Sequence, residues 1–372
     1  MVRIEQLSAT LGEFQLRDIE LDIRDREYFV VLGPTGAGKT VLLECIAGLT
    51  WPDAGRIWLG GREVTALPPE QRRVGYLPQD YALFPHLTVR ENLGFGLLVR
   101  RRSAEIPAKI ARFAELLGLE PLLDRLPSRL SGGEKQRVAL GRALAIDPEI
   151  MLLDEPLSAL DVATRERIGD ELRRLHDRTG ITSLHICHNF DETLRLADRV
   201  ALMHQGRIVQ VGTPDDILRR PNGLFAAGFV RAENIFAGVA DETGPLARLR
   251  LGTATLRAAV AFRGALYATI RPDDVEIEPP EAASVGEPNR WRATVERVEV
   301  RGDGYALRTA GALPVTAFVS RPQWRRCQYA PGSAVGLHLP PAVIHVFPAA
   351  GADRFGAGGD EGGSQPAGGT LP

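Results

Sequence analysis

Gly33-Pro34-Thr35-Gly36-Ala37-Gly38-Lys39-Thr40 follows the apolar run Tyr28 to Leu32 and leads into the helical stretch that ends at Ala47. A strand, a glycine-rich loop closing on Lys-Thr, and a helix make the context in which a phosphate-binding loop works. The glycines let consecutive backbone N–H groups converge on phosphate oxygens, and the helix N-terminus adds a favourable dipole. Lys39 reaches the outer phosphates as a point charge, and the Thr40 hydroxyl is placed to ligate Mg²⁺. The lysine is itself informative: of 45 basic residues only Lys39, Lys109 and Lys135 are lysine. A chance basic residue here is therefore arginine about fourteen times in fifteen, whereas the pattern needs lysine.

Outward from this loop, residues 1 to about 230 alternate short apolar runs with helical stretches. The runs are Tyr28 to Leu32, Arg73 to Leu77, Ile150 to Leu153, Ser183 to Ile186 and Val200 to Met203, and the helical stretches include Ile106 to Leu117, Gly132 to Ala145 and Thr164 to Arg178. That rhythm predicts a mainly parallel sheet covered by helices, with ligands at the carboxyl ends of the strands. From about Ala237 the chain turns to short strand-like segments broken by Pro and Gly, which predicts a separate small β-domain. The tail from Ala349 to Pro372 carries eight glycines and almost no apolar bulk, so disorder is expected there.

Three further stretches carry chemistry. Leu130-Ser131-Gly132-Gly133-Glu134-Lys135-Gln136 puts a hydroxyl and two unhindered backbone amides at another helix start, a second phosphate site or a plain N-cap. Ile150-Met151-Leu152-Leu153-Asp154-Glu155-Pro156 is an apolar strand ending in two carboxylates. Asp154 is suited to holding Mg²⁺ through water, and Glu155, projecting past the strand, to orienting and deprotonating an attacking water. Ser158-Ala159-Leu160-Asp161 follows, and His188 closes the strand Ser183 to Ile186.

Composition narrows the classes. With 372 residues, 44% hydrophobic, 25% charged and a net charge of −2, the chain is neither disordered overall nor a polybasic nucleic-acid binder. Its longest apolar runs fall far short of the roughly 18 residues of a membrane helix. The N-terminus MVRIEQLSAT lacks a secretory pattern, which makes the cytoplasm the default compartment. Cys45, Cys187 and Cys327 show no metal-ligand spacing and no disulfide framework.

Taken together in this order, the motifs resemble the ATP-binding cassette ATPases that drive membrane transporters. The resemblance covers roughly residues 1–235 and, more weakly, the β-domain. It implies an α/β P-loop NTPase cassette with a helical signature subdomain (1–235), a small all-β, oligonucleotide-binding-like regulatory domain of the TOBE/Mop kind (236–348) and a disordered tail (349–372). Residues 33–40 become the Walker A loop, Gln79 the Q-loop glutamine and a Mg²⁺ contact, Leu130 to Gln136 the signature, Asp154 and Glu155 the Walker B pair, Ser158 to Asp161 the D-loop, and His188 the switch histidine. The family's adenine-stacking position falls near Leu11-Gly12, with Phe14 the closest ring; a core strand residue is the other reading of Phe14. His188 stands between Cys187 and Asn189, where related cassettes often show Thr-His-Asp. The resemblance further implies two ATP molecules sandwiched in a head-to-tail dimer, with Ser131, Gly132 and Gly133 acting in trans on the other copy's nucleotide.

The stretch Gln79 to Asn92, with its seemingly exposed Tyr81 and Phe84, resembles the groove by which importer cassettes take a coupling helix from a permease; core packing of the two rings is the alternative. Pro78 to Leu87 and Arg231-Ala232-Glu233-Asn234-Ile235-Phe236-Ala237-Gly238 are most similar to molybdate or tungstate import ATPases, with sulfate, iron, sugar or polyamine import as alternatives. The implied setting is the cytoplasmic face of the inner membrane, beside an integral permease served by an extracytoplasmic binding protein. A soluble cassette of DNA repair or translation is the rival class, disfavoured by the absence of a second cassette or a coiled-coil insertion. Arg271-Pro272-Asp273-Asp274 and the candidates Ser320, Arg321 and Ser333 suggest an inhibitory oxyanion site in the β-domain, against a purely structural dimerisation role.

Overall fold

The computed structural model describes residues 1–158, 162–281, 288–302, 304–327 and 329–349. The expected tail, from residue 350 on, and Asp161 lie outside the described residues. The chain divides into two compact units at Pro214/Asp215, some twenty residues before the division expected at 235. The last two short helices before that point, therefore, belong with the second unit.

In the first unit, β1 (Val2–Leu11), β2 (Phe14–Ile23), β4 (Ala54–Leu59) and β5 (Arg62–Glu63) form an antiparallel sheet in the order β2-β1-β4-β5. This sheet stands in addition to the mainly parallel one that the strand–helix rhythm predicts. Its signal is the alternation of buried Leu16, Ile19, Leu21 and Ile23 with exposed charged residues, the pattern of a half-buried antiparallel strand. The second sheet has the order β10-β9-β3-β8-β7-β6: β3 (Tyr28–Leu32), β6 (Val74–Leu77), β7 (Ile150–Asp154), β8 (Thr182–Cys187) and β9 (Arg199–His204) are parallel, and β10 (Arg207–Gly212) is antiparallel at the edge. Strands β3, β7 and β8 are buried along their whole length, which is why they read as unbroken apolar runs.

One apolar core joins both sheets to α1 (Lys39–Ala47): Val2, Ile4, Leu21 and Ile57 meet Val31, Leu152, Ile186 and the α1 residues Leu42, Leu43 and Ile46. Helix α1 has little amphipathic character because it is covered on most sides. A second core, with Val89, Leu93, Ile110, Ala114, Leu130 and Val138, is built by α2 (Val89–Val99), α3 (Ile106–Leu117) and α4 (Gly132–Ala145). This is the expected helical subdomain. Helices α5 (Val162–Thr179) and α6 (Phe190–Leu196) complete the unit.

The second unit begins with α7 (Pro214–Arg219) and α8 (Leu224–Phe229) and is otherwise antiparallel β. Strands β11 (Asn234–Ala240), β12 (Gly244–Leu251), β13 (Ala254–Val260), β14 (Gly264–Ile270) and β20 (His345–Pro348) pair in the order β13-β12-β11-β14-β20. β15 (Glu276–Glu278), β16 (Arg290–Arg301), β17 (Gly304–Ala310), β18 (Thr316–Ser320) and β19 (Ala334–His338) pair in the order β15-β19-β16-β17-β18, with α9 (Arg321–Cys327) beside them. Both sheets bury their inner faces in one core, from Leu249 and Leu266 to Leu307 and Leu337.

Candidate active site

Register brings the site together. Leu32 of β3 pairs with Cys187 of β8, and Asp154 of β7 pairs with Ile186, so three parallel strands end nearly flush. The residues just past those ends, the loop from Gly33, Glu155 and His188, therefore share one edge, where ligands of such sheets bind. Leu77 of β6 pairs with Leu153, so Gln79, two residues beyond, is exposed at the same edge.

The loop is held closed from below and left open above. A Cβ on Gly33 would stand 2.3 Å from the Met203 carbonyl oxygen, a close backbone approach that only glycine permits. Gly38 caps α1 at φ 100 with no side-chain hydrogen bond, so the first amides of the helix keep their donors for an anion. Beneath Gly38 lies the half-buried ring of Phe14, whose Cζ would be 2.3 Å from a Cβ at position 38. Phe14 also packs on the unit's main core, the strand reading that its sequence left open.

Lys39 is buried and donates from Nζ to the carbonyl oxygens of Gly33 (2.9 Å) and Pro34 (3.0 Å), with Glu155 Oε1 at 4.0 Å. Desolvation lowers its pKa, and the negative charge of Glu155 acts in the opposite direction. The Thr40 hydroxyl donates to Asp154 Oδ1 (3.3 Å), and the Tyr76 hydroxyl lies 3.5 Å from Oδ2. Burial pushes the Asp154 carboxyl above its ordinary range, the mark of a carboxylate short of positive charge. Its oxygen-only surroundings suit a hard divalent cation such as Mg²⁺.

Glu155 adopts φ 45, a left-handed conformation costly for a residue with a side chain. The strain is held by its own backbone: its N–H donates to Ile186 O (3.1 Å), and its carbonyl accepts from Ser158 N (3.2 Å) and Ser158 Oγ (2.9 Å). The turn aims the carboxylate between Lys39 and His188, whose Nδ1 is 3.4 Å from Glu155 Oε2. The His188 side chain is 49% exposed.

Ser131 caps α4: its Oγ accepts from Glu134 N (3.4 Å), while Glu134 Oε2 accepts from Ser131 N (2.7 Å). These bonds lower the Glu134 pKa. Ser131 and Gly132 are exposed, and among the described residues no hydrogen bond or ion pair joins Ser131 to Lys39, Asp154, Glu155 or His188. The chain thus gathers Lys39, Thr40, Asp154, Glu155 and His188, with the signature on the separate helical core.

The stretch Gln79 to Asn92 is only partly the exposed aromatic surface expected. Tyr81 is 8% exposed and Phe84 half-buried, its ring centroid 4.2 Å from that of Phe95 with the Arg142 guanidinium over its face. Sequence reading also missed the clamps on this loop. Arg142 of α4 donates to the carbonyls of Ala82 (2.6 Å) and Tyr81 (2.9 Å), both at positive φ, and the fully buried Asn92 donates to those of Phe84, Leu87 and Thr88. Arg142, set in the otherwise apolar second half of α4 from Val138 to Ala145, was the available signal.

In the second unit, Ser320 and Arg321 are exposed and Ser333 Oγ serves its own turn by accepting from Ala330 N (3.1 Å). The unit's cavity, about 140 Å³, lies elsewhere, lined by Arg219, Thr269, Arg271, Asp274 and His345 among others.

Comparison with known proteins agrees with this geometry. Residues 16–158 match the ABC transporter family and residues 268–347 the TOBE domain. The chain is 41% identical over 350 residues to the molybdate/tungstate import ATP-binding protein WtpC of Pyrococcus horikoshii, covering 94% of this chain and 100% of that one. It is 42% identical over 307 residues to the sulfate/thiosulfate import ATP-binding protein CysA of Caulobacter vibrioides, 81% of this chain and 87% of that one. The dimeric ATP-binding cassette MJ0796 bound to ADP and Pi superposes with a TM-score of 0.52 at 28% identity, over 57% of this chain and 99% of that one. The match of residues 16–158 and 268–347, with 41% identity over the whole length of a relative, places the chain in the ABC transporter family, as an ATP-hydrolysing cassette with a C-terminal TOBE domain.

Proposed function

We propose that this cassette powers the import of a tetrahedral oxyanion, molybdate or tungstate, through a separate membrane permease, working as a head-to-tail dimer at the cytoplasmic face of the membrane. The observation that carries the catalytic part is Glu155: one carboxylate, held in a strained turn between Lys39 and His188 at the edge where the phosphate loop opens. Lys39 exchanges its two loop carbonyls for the β- and γ-phosphate oxygens of ATP, and the amides of residues 36–40 with the α1 dipole take the remaining charge. Thr40, Asp154 and the Gln79 side chain hold Mg²⁺, which supplies charge neutralisation on the phosphoryl group in transfer. Glu155 orients the attacking water and accepts its proton, while His188 contacts the γ-phosphate. Phe14 supports Gly38 from below.

Ser131 and Gly132, exposed, and the half-buried Gly133, apart from this site, complete it from the second copy. The dimeric cassette relatives support that arrangement. No described helix is long and apolar enough to cross a membrane, so a permease partner would supply the path. The similarity to the Pyrococcus proteins over nearly the whole chain supports molybdate or tungstate; the comparable identity to CysA proteins makes sulfate the second reading. Steady-state phosphate release tests the chemistry: Glu155→Gln retains ATP binding and loses at least about a hundredfold in turnover, and turnover at the wild-type rate would overturn it. Uptake of molybdate, tungstate and sulfate into vesicles holding the complete transporter decides the substrate.

A further inference from the structure

Directly behind His188 lies a second group of chemistry-bearing side chains that the ATP site does not use. His185 and Cys187, two apart on β8, face the same side of the strand, and Glu192 comes up to them from the first turn of α6. His185 Nε2, Cys187 Sγ and a Glu192 carboxylate oxygen all lie within 4.8 Å of one another. We propose that His185, Cys187 and Glu192 form a binding site for a borderline-soft divalent cation of the Zn²⁺ class.

Four features of the group support this. First, His185 is 0% exposed, and its Nε2 stands 3.2 Å from Glu192 Oε1 without the alignment of a hydrogen bond. A lone pair aimed past its neighbour is costly in a protein interior and is what a shared cation would satisfy. The spacing also matches the edge of a tetrahedral site, about 3.3 to 3.6 Å from the usual Zn–N, Zn–O and Zn–S lengths. Second, the other ring nitrogen, Nδ1, is 3.0 Å from the Tyr28 hydroxyl. With the proton on Nδ1 and donated to Tyr28 Oη, Nε2 is left free to ligate, the outer-shell arrangement typical of metal-bound histidines. Third, the Asn189 backbone N–H donates to Cys187 Sγ (3.2 Å) and the thiol donates to Asn189 O (3.2 Å); burial and then the Glu192 charge push the thiol pKa up, so the thiolate forms only as the cation binds. Fourth, Glu192, the one member of the group that is not fully buried, also lines an open cleft of about 230 Å³ between α5 and α6, with Asn189, Asp191 and Arg165, and so links the buried pair to the surface.

The donor set, one thiolate, one imidazole and one carboxylate, balances a divalent charge and selects against the hard Mg²⁺ that accompanies ATP. Binding releases the thiol proton to solvent. It also draws α6 toward β8 across the two residues that carry His188, so occupancy at this site acts on the placement of the switch histidine.

The test uses the full-length chain in Mg²⁺ buffer, titrated with Zn²⁺ against a chromogenic chelator. One Zn²⁺ binds per chain, and Cys187→Ser and His185→Phe each weaken binding by more than about tenfold, while Cys327→Ser and His338→Asn change nothing. Substitution with Co²⁺ gives a thiolate-to-metal charge-transfer band that is lost in Cys187→Ser. Should either variant misfold, the Co²⁺ charge-transfer band of the wild-type chain, retained in Cys327→Ser, reads the same contact. No stoichiometric binding, binding unchanged by Cys187→Ser, or no charge-transfer band would each overturn the site.

Discussion

Glu155 and Gly38 show how single positions are over-determined around the nucleotide. At Glu155 a backbone conformation costing on the order of 1 to 3 kcal/mol is held by bonds to Ile186 and Ser158. At Gly38 the constraints are φ 100 and the ring of Phe14 beneath. Gly38→Ala therefore introduces both backbone strain and a clash, and binding of a fluorescent ATP analogue is expected to fall below detection. Phe14→Ala separates the two readings of that ring. Loss of a half-buried ring that supports the loop lowers stability by about 2 kcal/mol in a thermal melt, whereas an adenine-stacking ring would leave the melt unchanged and weaken only nucleotide binding. In the double variant the clash is relieved and the φ strain remains, so stability recovers in part and binding does not.

At the scale of elements, the orientation of α1 depends on a buried cation far from the nucleotide. Arg72, 2% exposed, donates from Nη1 to the last carbonyls of α1, Cys45 (2.6 Å) and Ile46 (3.1 Å), and from Nε and Nη2 to Leu67 and Thr65. Among the described residues no carboxylate pairs with it; the negative end of the helix and four carbonyl oxygens offset its desolvation, which lowers its pKa. Arg72→Met retains the apolar stem and leaves those carbonyls unpaired, a loss on the order of 3 kcal/mol in chemical denaturation. A change below about 0.5 kcal/mol would mean that water replaces the guanidinium there. The loop Gln79 to Asn92 is tied in the same way to the helical core by Arg142 and Asn92, so motion of α4 reaches the loop where a permease is proposed to dock.

For the whole molecule, the proposed function requires that one copy hold an incomplete site, since Ser131 stands apart from Lys39, Asp154, Glu155 and His188. Glu155→Gln with ATP is expected to elute as a dimer in size-exclusion chromatography and as a monomer without nucleotide. Adding Ser131→Arg fills the exposed α4 start with a long side chain and removes its cap, abolishing that dimer while lowering the stability of the monomer by only about 1 kcal/mol. A dimer that survives Ser131→Arg would remove the signature from the interface.

Much of this architecture is written locally. A strand buried on both faces needs an apolar run, and a phosphate loop needs its glycines at fixed spacing, so β3, α1, α3, α4 and the Lys39, Asp154 and Glu155 positions are readable from short stretches whose boundaries fall at or within a residue of the structure. Half-buried antiparallel strands such as β1 and β2 are less legible, because alternation with charge is also what exposed turns show. Three things were decided only by tertiary structure. Register of β3, β7 and β8 placed His188 against Glu155. Packing of α4 against the loop buried Tyr81, for which the sequence left a surface and a core reading open. The approach of α6 to β8 set Glu192 beside His185 and Cys187; the three lie within residues 185–192, but the turn from strand to helix, not the spacing, brings their donor atoms together.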